Sequence, residues 1–231
     1  MGIKERQDRE RQAVRRAILN AARELFVAEG YRNVSIRKIA EKIEYSPAAL
    51  YSYFAGKDDI FFALAEEGFL LMARGLRDCC EPGDEPIEAV RKLLWCYYTF
   101  SRTYPEHYDL MFVDRSVPTI TRDWDRFAFV NELMLELVDS IRRCVQAGQL
   151  DARLDPAAAL HILWASVHGA AMMALANRLA PNEDPDALAR DTLEATLNGL
   201  RAGIETTFVA RCDFTTPAAG SSVGEHEHDA S

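Results

Sequence analysis

Between Arg37 and Lys57 the chain collects side chains that suit a partner rich in oxyanions and polar edges. Arg37 offers a planar fork of N–H donors, Tyr51 and Tyr53 offer phenolic hydroxyls, and Lys57 offers a point charge with three donors. Among them stand Ser46, Pro47, Ala48, Ala49 and Ser52, side chains short enough to let a backbone approach another surface closely. The chemistry on offer is the holding of phosphates and the reading of polar edges, with no nucleophile–base pair in sight.

Net charge supports that division of labour. The 231 residues carry a formal charge of -9, yet residues 1–57 hold twelve Lys/Arg against seven Asp/Glu, a balance of +5, so the remainder carries -14. A basic first quarter on an acidic body suggests a small module for a polyanion joined to a larger part that binds none.

Helical spacing places these residues. Val14, Ala17, Ile18, Ala21, Ala22, Leu25 and Phe26 recur on one face of a first helix behind a charged arm, and Gly30 stands where a C-terminal cap belongs. Arg9, Arg11, Arg15 and Arg16, interleaved with acids, read as a solvated helix face rather than as an arm for a minor groove. Ser35 caps a short second helix through Ile36, Ile39, Ala40 and Ile43. Ser46-Pro47 opens a third: the serine oxygen can accept from a free amide, and proline at the first helical position has no N–H to leave unpaired. Leu50 and Phe54 then point inward, while Pro47, Ala48, Tyr51 and Ser52 share the outward face. Lys57-Asp58-Asp59 starts a fourth helix, the expected sole connection to the body.

Two short helices separated by a few residues have the proportions of a helix-turn-helix, whose second helix enters the DNA major groove. The pattern A-x-x-L-F-x-x-x-G-Y-x-x-x-S-I-R-x-I-A-x-x-I-x-Y-S-x-x-x-L-Y-x-Y-F-x-x-K-x-x-I, from Ala22 to Ile60, resembles the DNA-binding head of the TetR family of bacterial transcriptional regulators. The resemblance implies a nine-helix, all-α subunit, a homodimer on a palindromic double-stranded operator, and a C-terminal domain that senses a small molecule. It carries Arg37 to a base contact, Pro47, Ala48 and Ala49 to the surface facing base edges, and Tyr51, Tyr53 and Lys57 to phosphates. Glu44 stands at the turn position usually held by glycine, so it must either accept a positive φ at a cost or adopt another turn.

The expected organisation is an arm and DNA-binding domain over 1–57, a connecting helix over 58–80, a ligand-binding and dimerisation domain over 81–212, and a disordered tail over 213–231. "EPGDEP" at 81–86 is the linker, and helices are expected over 87–104, 106–112, 121–147, 156–179 and 186–209. No alternating β-branched run competes, so the class is all-α. "LLWCYYTF" is apolar nearly all round and must be enclosed. Trp95, Tyr98, Phe112, Trp124, Phe127, Trp164, His168 and Met172, with His161 as a further polar group, are the residues expected around a largely apolar effector pocket. Trp164, His168 and Gly169 also resemble a C-terminal subgroup of the family marked by these residues. Small residues four apart, Ala165 and Gly169, then Ala195, Gly199 and Gly203, suit a two-fold helix interface.

Other classes find less support. The five cysteines are odd in number, lack C-x-x-C spacing and read as small buried hydrophobes in a reducing compartment. The charged N-terminus has no apolar signal segment, so a cytoplasmic location is expected. Residues 157–177 lack any charge, but His161, Ser166 and His168 interrupt them, and a core or interface helix is expected rather than a membrane span. No G-x-S-x-G, H-E-x-x-H or phosphate-binding glycine loop occurs, and the single Glu-x-x-His, Glu225 with His228, lies in the tail, so no enzyme, metal or cofactor is expected. An all-α enzyme, a metal-binding bundle and an activator of the same fold remain the alternatives.

Overall fold

Proline at the first helical position opens five of the nine α-helices found among the described residues, because it lacks the N–H that this position would leave unpaired. The computed structural model describes residues 2–119 and 125–210, with no strand among them. The helices are α1 (Ile3–Glu29), α2 (Ile36–Lys42), α3 (Pro47–Leu50), α4 (Lys57–Asp78), α5 (Pro86–Thr103), α6 (Pro105–Tyr108), α7 (Ala128–Gln146), α8 (Pro156–Leu175) and α9 (Pro185–Ala202). A 3-10 turn, Tyr31–Asn33, follows α1, and a π-helical turn, Asp109–Val113, follows α6.

The head is α1 to α3. Ile18, Ala22 and Phe26 of α1 bury against Ile39 and Ala40 of α2 and against Leu50 and Phe54, the two inward residues expected of the third helix. Ser35 and Ser46 both cap as expected, accepting from Lys38 N and Ala49 N at 3.2 Å. The charged arm expected ahead of the first helix is instead the beginning of α1. Residues 3–13 contain no Gly or Pro to stop a helix, and Arg6 pairs with Glu10 one turn on at 2.8 Å. Gly30, at φ 79°, ends α1 where the sequence placed its cap.

In the body, α5 runs between α4, α7, α8 and α9. Leu94, Tyr97, Tyr98 and Phe100 are buried, so the apolar run is enclosed on several sides. α8 is long and apolar enough to cross a membrane by length and composition alone, but it packs against α5, α7 and α9. Several expected ends move. α8 stops at Leu175 because Asn177 reverses the chain at φ 50°, and α9 stops at Ala202 because Gly203 adopts φ 78°. α7 begins at Ala128, and Trp124, Cys212 and the tail lie outside the described residues.

α4 is not the sole link between head and body. Arg23 of α1 pairs with Glu106 of α6 at 2.7 Å, and the Tyr31 N–H donates to Asp114, just past the π turn, at 3.4 Å. Helical periodicity cannot report such contacts, which join residues more than eighty positions apart in sequence.

The turn between α2 and α3 takes the costly alternative. Glu44 has φ 58°, with its N–H bonded to Glu41 O at 3.2 Å and the Tyr45 N–H bonded to Ala40 O at 2.9 Å. That pair of bonds is the glycine-favouring end of a helix, closed here by a residue with a Cβ. Glu44→Gly should therefore raise stability by ~1 kcal/mol, read as a higher urea midpoint at unchanged slope. An unchanged or lower midpoint would show that the turn stores no strain.

Candidate nucleic-acid interface and apolar cavity

The outward face of the head is built from residues that the inward ones fix. With Leu50 and Phe54 buried, Ser46, Pro47, Ala48, Tyr51 and Ser52 are exposed, Ala49 and Tyr53 half-exposed, and Tyr51 shows 59% of its surface. α3 is a single turn continued by tight turns, in which Ser52 Oγ donates to Ala49 O at 2.6 Å. Arginines of α1 lock this segment: the Arg11 guanidinium donates to Ser52 O at 3.0 Å and lies over the Tyr53 ring at 5.2 Å, and Arg15 lies over Phe54 at 5.0 Å. They were expected to be merely solvated, a role in which periodicity is silent about partners. Arg16 pairs with Glu67 of α4.

Two cations behave differently from simple phosphate clamps. The Arg37 side chain is 80% exposed and pairs with Glu41 at 2.8 Å, which holds its pKa above the ordinary guanidinium value through that hydrogen bond. Lys57, at the start of α4, donates one N–H to Tyr31 O at 2.9 Å and lies 4.1 Å from the Tyr31 ring centre.

In the body, a cavity of about 510 Å³ lies between α4, α5, the π turn, α7 and α8, and its wall is chiefly Leu, Met, Phe and Val. Phe112 and Trp164, both expected, line it, together with Tyr97, Asn131 and His161 as polar-bearing groups. A second cavity of about 520 Å³ is lined by Phe112, His161, Trp164, His168 and Phe208, so Phe112, His161 and Trp164 form the partition between the two.

His168 anchors a buried hydrogen-bond cluster there. Its Nδ1 lies 2.6 Å from the Tyr108 hydroxyl and 2.9 Å from that of Tyr97, and Tyr97 donates to Tyr108 at 3.0 Å. Burial holds the imidazole below its ordinary pKa, so the neutral ring accepts at Nδ1. Burial also pushes the Tyr97 phenol up to about 12, against the opposing effect of its hydrogen bonds to Tyr108 and Trp164. Among the described residues, no group of three His, Cys, Asp or Glu is arranged to hold a metal ion.

Residues 18–64 match the sequence model of the bacterial regulatory proteins, tetR family, and residues 90–196 match that of the tetracyclin repressor-like C-terminal domain. The HTH-type transcriptional repressor Rv1474c of Mycobacterium tuberculosis is 30% identical over 185 residues, spanning 77% of this chain and 88% of that protein. This chain belongs to the TetR family. The repressor AcnR of Corynebacterium diphtheriae is 28% identical over 95 residues, 41% of this chain and 43% of its own. Among solved structures, the fatty acid degradation regulator FadR from Bacillus halodurans has the same fold at TM-score 0.66, with 17% identity over 81% of this chain and 96% of that one. The TetR family regulator PfmR from Thermus thermophilus does so at 0.62, with 22% identity over 79% and 98%.

Within this TetR subunit, several residues expected around a pocket lie elsewhere. Trp95 stacks against Tyr98 at 5.1 Å under the Arg190 guanidinium, and the Tyr98 hydroxyl donates to Asp186 at 2.8 Å, so both face α9. Tyr97, one residue earlier on α5, meets the cavity instead. Phe127 is buried between Phe62, Phe69 and Phe129, and Met172 packs on the core outside both cavity walls. Gly203 belongs to a helix cap rather than to a face, and Gly199 packs beneath Ile204. Ala165, Gly169 and Ala195 are exposed, and open space lies where a Gly169 side chain would project. Asn131 and Tyr108 were missed; neither stands out in sequence, since only the approach of α7 and α6 to α5 gives them a role.

The buried imidazoles set an acid limit. His107, like His168, is held below the ordinary value near 6.5, by burial first and by Arg23 next. Below 6.5 the unfolded chain therefore binds more protons than the folded one, and stability declines as pH falls through the depressed folded values. Urea midpoints measured from neutral pH downward should fall in that window, and His168→Leu should remove part of the slope.

Proposed function

We propose that this protein is a ligand-responsive repressor that binds a palindromic operator as a homodimer and releases it when a largely apolar small molecule fills the cavity beside Phe112 and Trp164. The observation that carries this reading is shared structure: the π turn that supplies Met111 and Phe112 to the cavity wall also packs on α1 and α4, and Asp114 at its end bonds the Tyr31 N–H of the head. A ligand that displaces this turn acts directly on the mounting of the head. Release needs a preference for the non-binding shape of only about 1–3 kcal/mol.

On the operator, Arg37 leaves Glu41 for a base edge, and Pro47, Ala48 and Ala49 face the groove, where short apolar side chains suit thymine methyls. Ser46, Tyr51, Ser52 and Tyr53 line the same surface toward the phosphates, and Lys57 adds charge beside the α4 N-terminus. α8 and α9 join the two copies through the exposed Ala165, Gly169 and Ala195, which lets backbones come close. Trp164, His168 and Gly169 support a likeness of the body to the subgroup marked by those residues, with Trp164 and His168 facing cavities and Gly169 facing the second copy. The protein acts by binding, without turnover, cofactor or membrane, in the cytoplasm where the operator is.

Selection from a random duplex pool at two salt concentrations tests the reading. A palindrome with half-sites about one helical turn apart is expected, and weak retention blind to sequence would sink it. Lys57→Ala should weaken binding to all sequences alike and lower the salt slope by about one, whereas Arg37→Ala should relax preference at particular bases. Equal effects of both on every base would contradict these roles.

A further inference from the structure

Three of the five cysteines meet where α4 ends against α5. Cys79 caps α4, its N–H bonded to Gly75 O at 3.1 Å, and its Sγ lies 3.8 Å from that of Cys80. Cys96, midway along α5, faces the same turn. Its Sγ is 3.3 Å from the position that a Cβ on Gly75 would take, so glycine there lets the sulfur reach α4. Cys79, one turn beyond Gly75 on α4, shares this neighbourhood with Cys96, and the two thiols shift one another's pKa in opposite directions. All three side chains are half-buried, whereas Cys144 is wholly enclosed in the body.

Cys79 thus has two sulfurs within reach. Successive Cα atoms are about 3.8 Å apart, below the ~4.4–6.8 Å of ordinary disulfides, which disfavours a bond to Cys80. Cys96, on a separate helix, carries no such restriction. We propose that Cys79 and Cys96 form a dithiol site for a two-electron oxidant of the hydroperoxide class, which converts the pair to a disulfide joining α4 to α5.

The roles follow from this pairing. The Cys79 thiol lowers the Cys96 pKa against the opposing effect of burial, and Cys96 raises that of Cys79 in turn, so Cys96 is the thiolate and Cys79 keeps its proton. The Cys96 thiolate attacks the peroxide oxygen, the O–O bond breaks, and the departing alkoxide takes a proton from solvent to leave as alcohol. The resulting Cys96 sulfenic acid is attacked by the Cys79 sulfur; the S–O bond breaks, and hydroxide leaves with the Cys79 proton as water. Two thiols and one hydroperoxide give one disulfide, one alcohol and one water. The bond would pin the end of α4 beside Leu76, whose carbonyl already accepts from the Cys79 thiol at 3.2 Å and whose side chain lines the apolar cavity.

The test uses the full chain carrying Cys212→Ser, treated with equimolar tert-butyl hydroperoxide, then alkylated and weighed intact and after trypsin. Cleavage at Arg77, Arg91 and Lys92 leaves Cys79 and Cys80 on one peptide and Cys96 on another. Loss of two hydrogens with cross-linking of those two peptides is expected. Cys79→Ser should leave a sulfenic acid at Cys96 that dimedone captures, and Cys96→Ser should abolish the disulfide. A bond confined to the Cys79–Cys80 peptide, oxygen addition without a cross-link, equal oxidation of Cys144, or no loss of thiols would each overturn the proposal. None of these readouts depends on DNA or effector binding.

Discussion

Tyr31 holds the head on the body. It is buried at 5% exposure in the 3-10 turn after α1, with its ring 5.1 Å from Phe26 of α1 and 5.7 Å from Phe61 of α4. Its hydroxyl donates to Asp58 in the first turn of α4, its carbonyl accepts from Lys57, and its N–H donates to Asp114 beyond the π turn. One residue thereby couples α1, α4 and the cavity wall. Truncating its side chain would leave an aromatic void and remove the bond to Asp58, while both backbone bonds would remain.

The body shows a corresponding tension between filling and emptiness. α5 carries Tyr97 toward the cavity and Tyr98 toward α9, and each phenol is satisfied by a different partner, the Tyr108–His168 cluster for one and Asp186 for the other. A close-packed interior would not leave about 510 Å³ open without cost, since apolar surface around a void loses dispersion contacts. Met72, Met111 and Met134 on its wall are flexible enough to adjust around an occupant. Met111 also lies where any side chain on Gly68 of α4 would collide with it, so the wall and the shaft of the head touch directly. That contact gives movement at the cavity a path into α4, beside the separate path from the π turn through Asp114 to Tyr31.

Much of this was legible because local rules speak through single residues. Ser35, Ser46-Pro47 and Gly30 fixed helix ends through hydrogen bonding and proline or glycine stereochemistry, which need no tertiary partner. Leu50 and Phe54 revealed the inward face by spacing. Glu44 exposed a conflict in the sequence, which the structure resolves in favour of positive φ with two helix-end bonds closing the turn. Errors arose where a signal has two physical meanings. Gly203 fitted a stripe of small residues but serves as a cap, and Tyr98 fitted an aromatic cluster but points to the other side of the same helix.

By itself the sequence determined an all-α chain, a basic head with a small, hydroxyl-bearing outward face, and an acidic body with a surplus of aromatic residues. These follow from periodicity, capping and charge, each set within a few residues. Only the tertiary structure decided that α1 braces α3 through Arg11 and Arg15, that Asp114 reaches Tyr31, and that Phe112, His161 and Trp164 divide two cavities. Those are meetings between distant segments, and a side chain's partner across space depends on how helices cross, which no local pattern encodes.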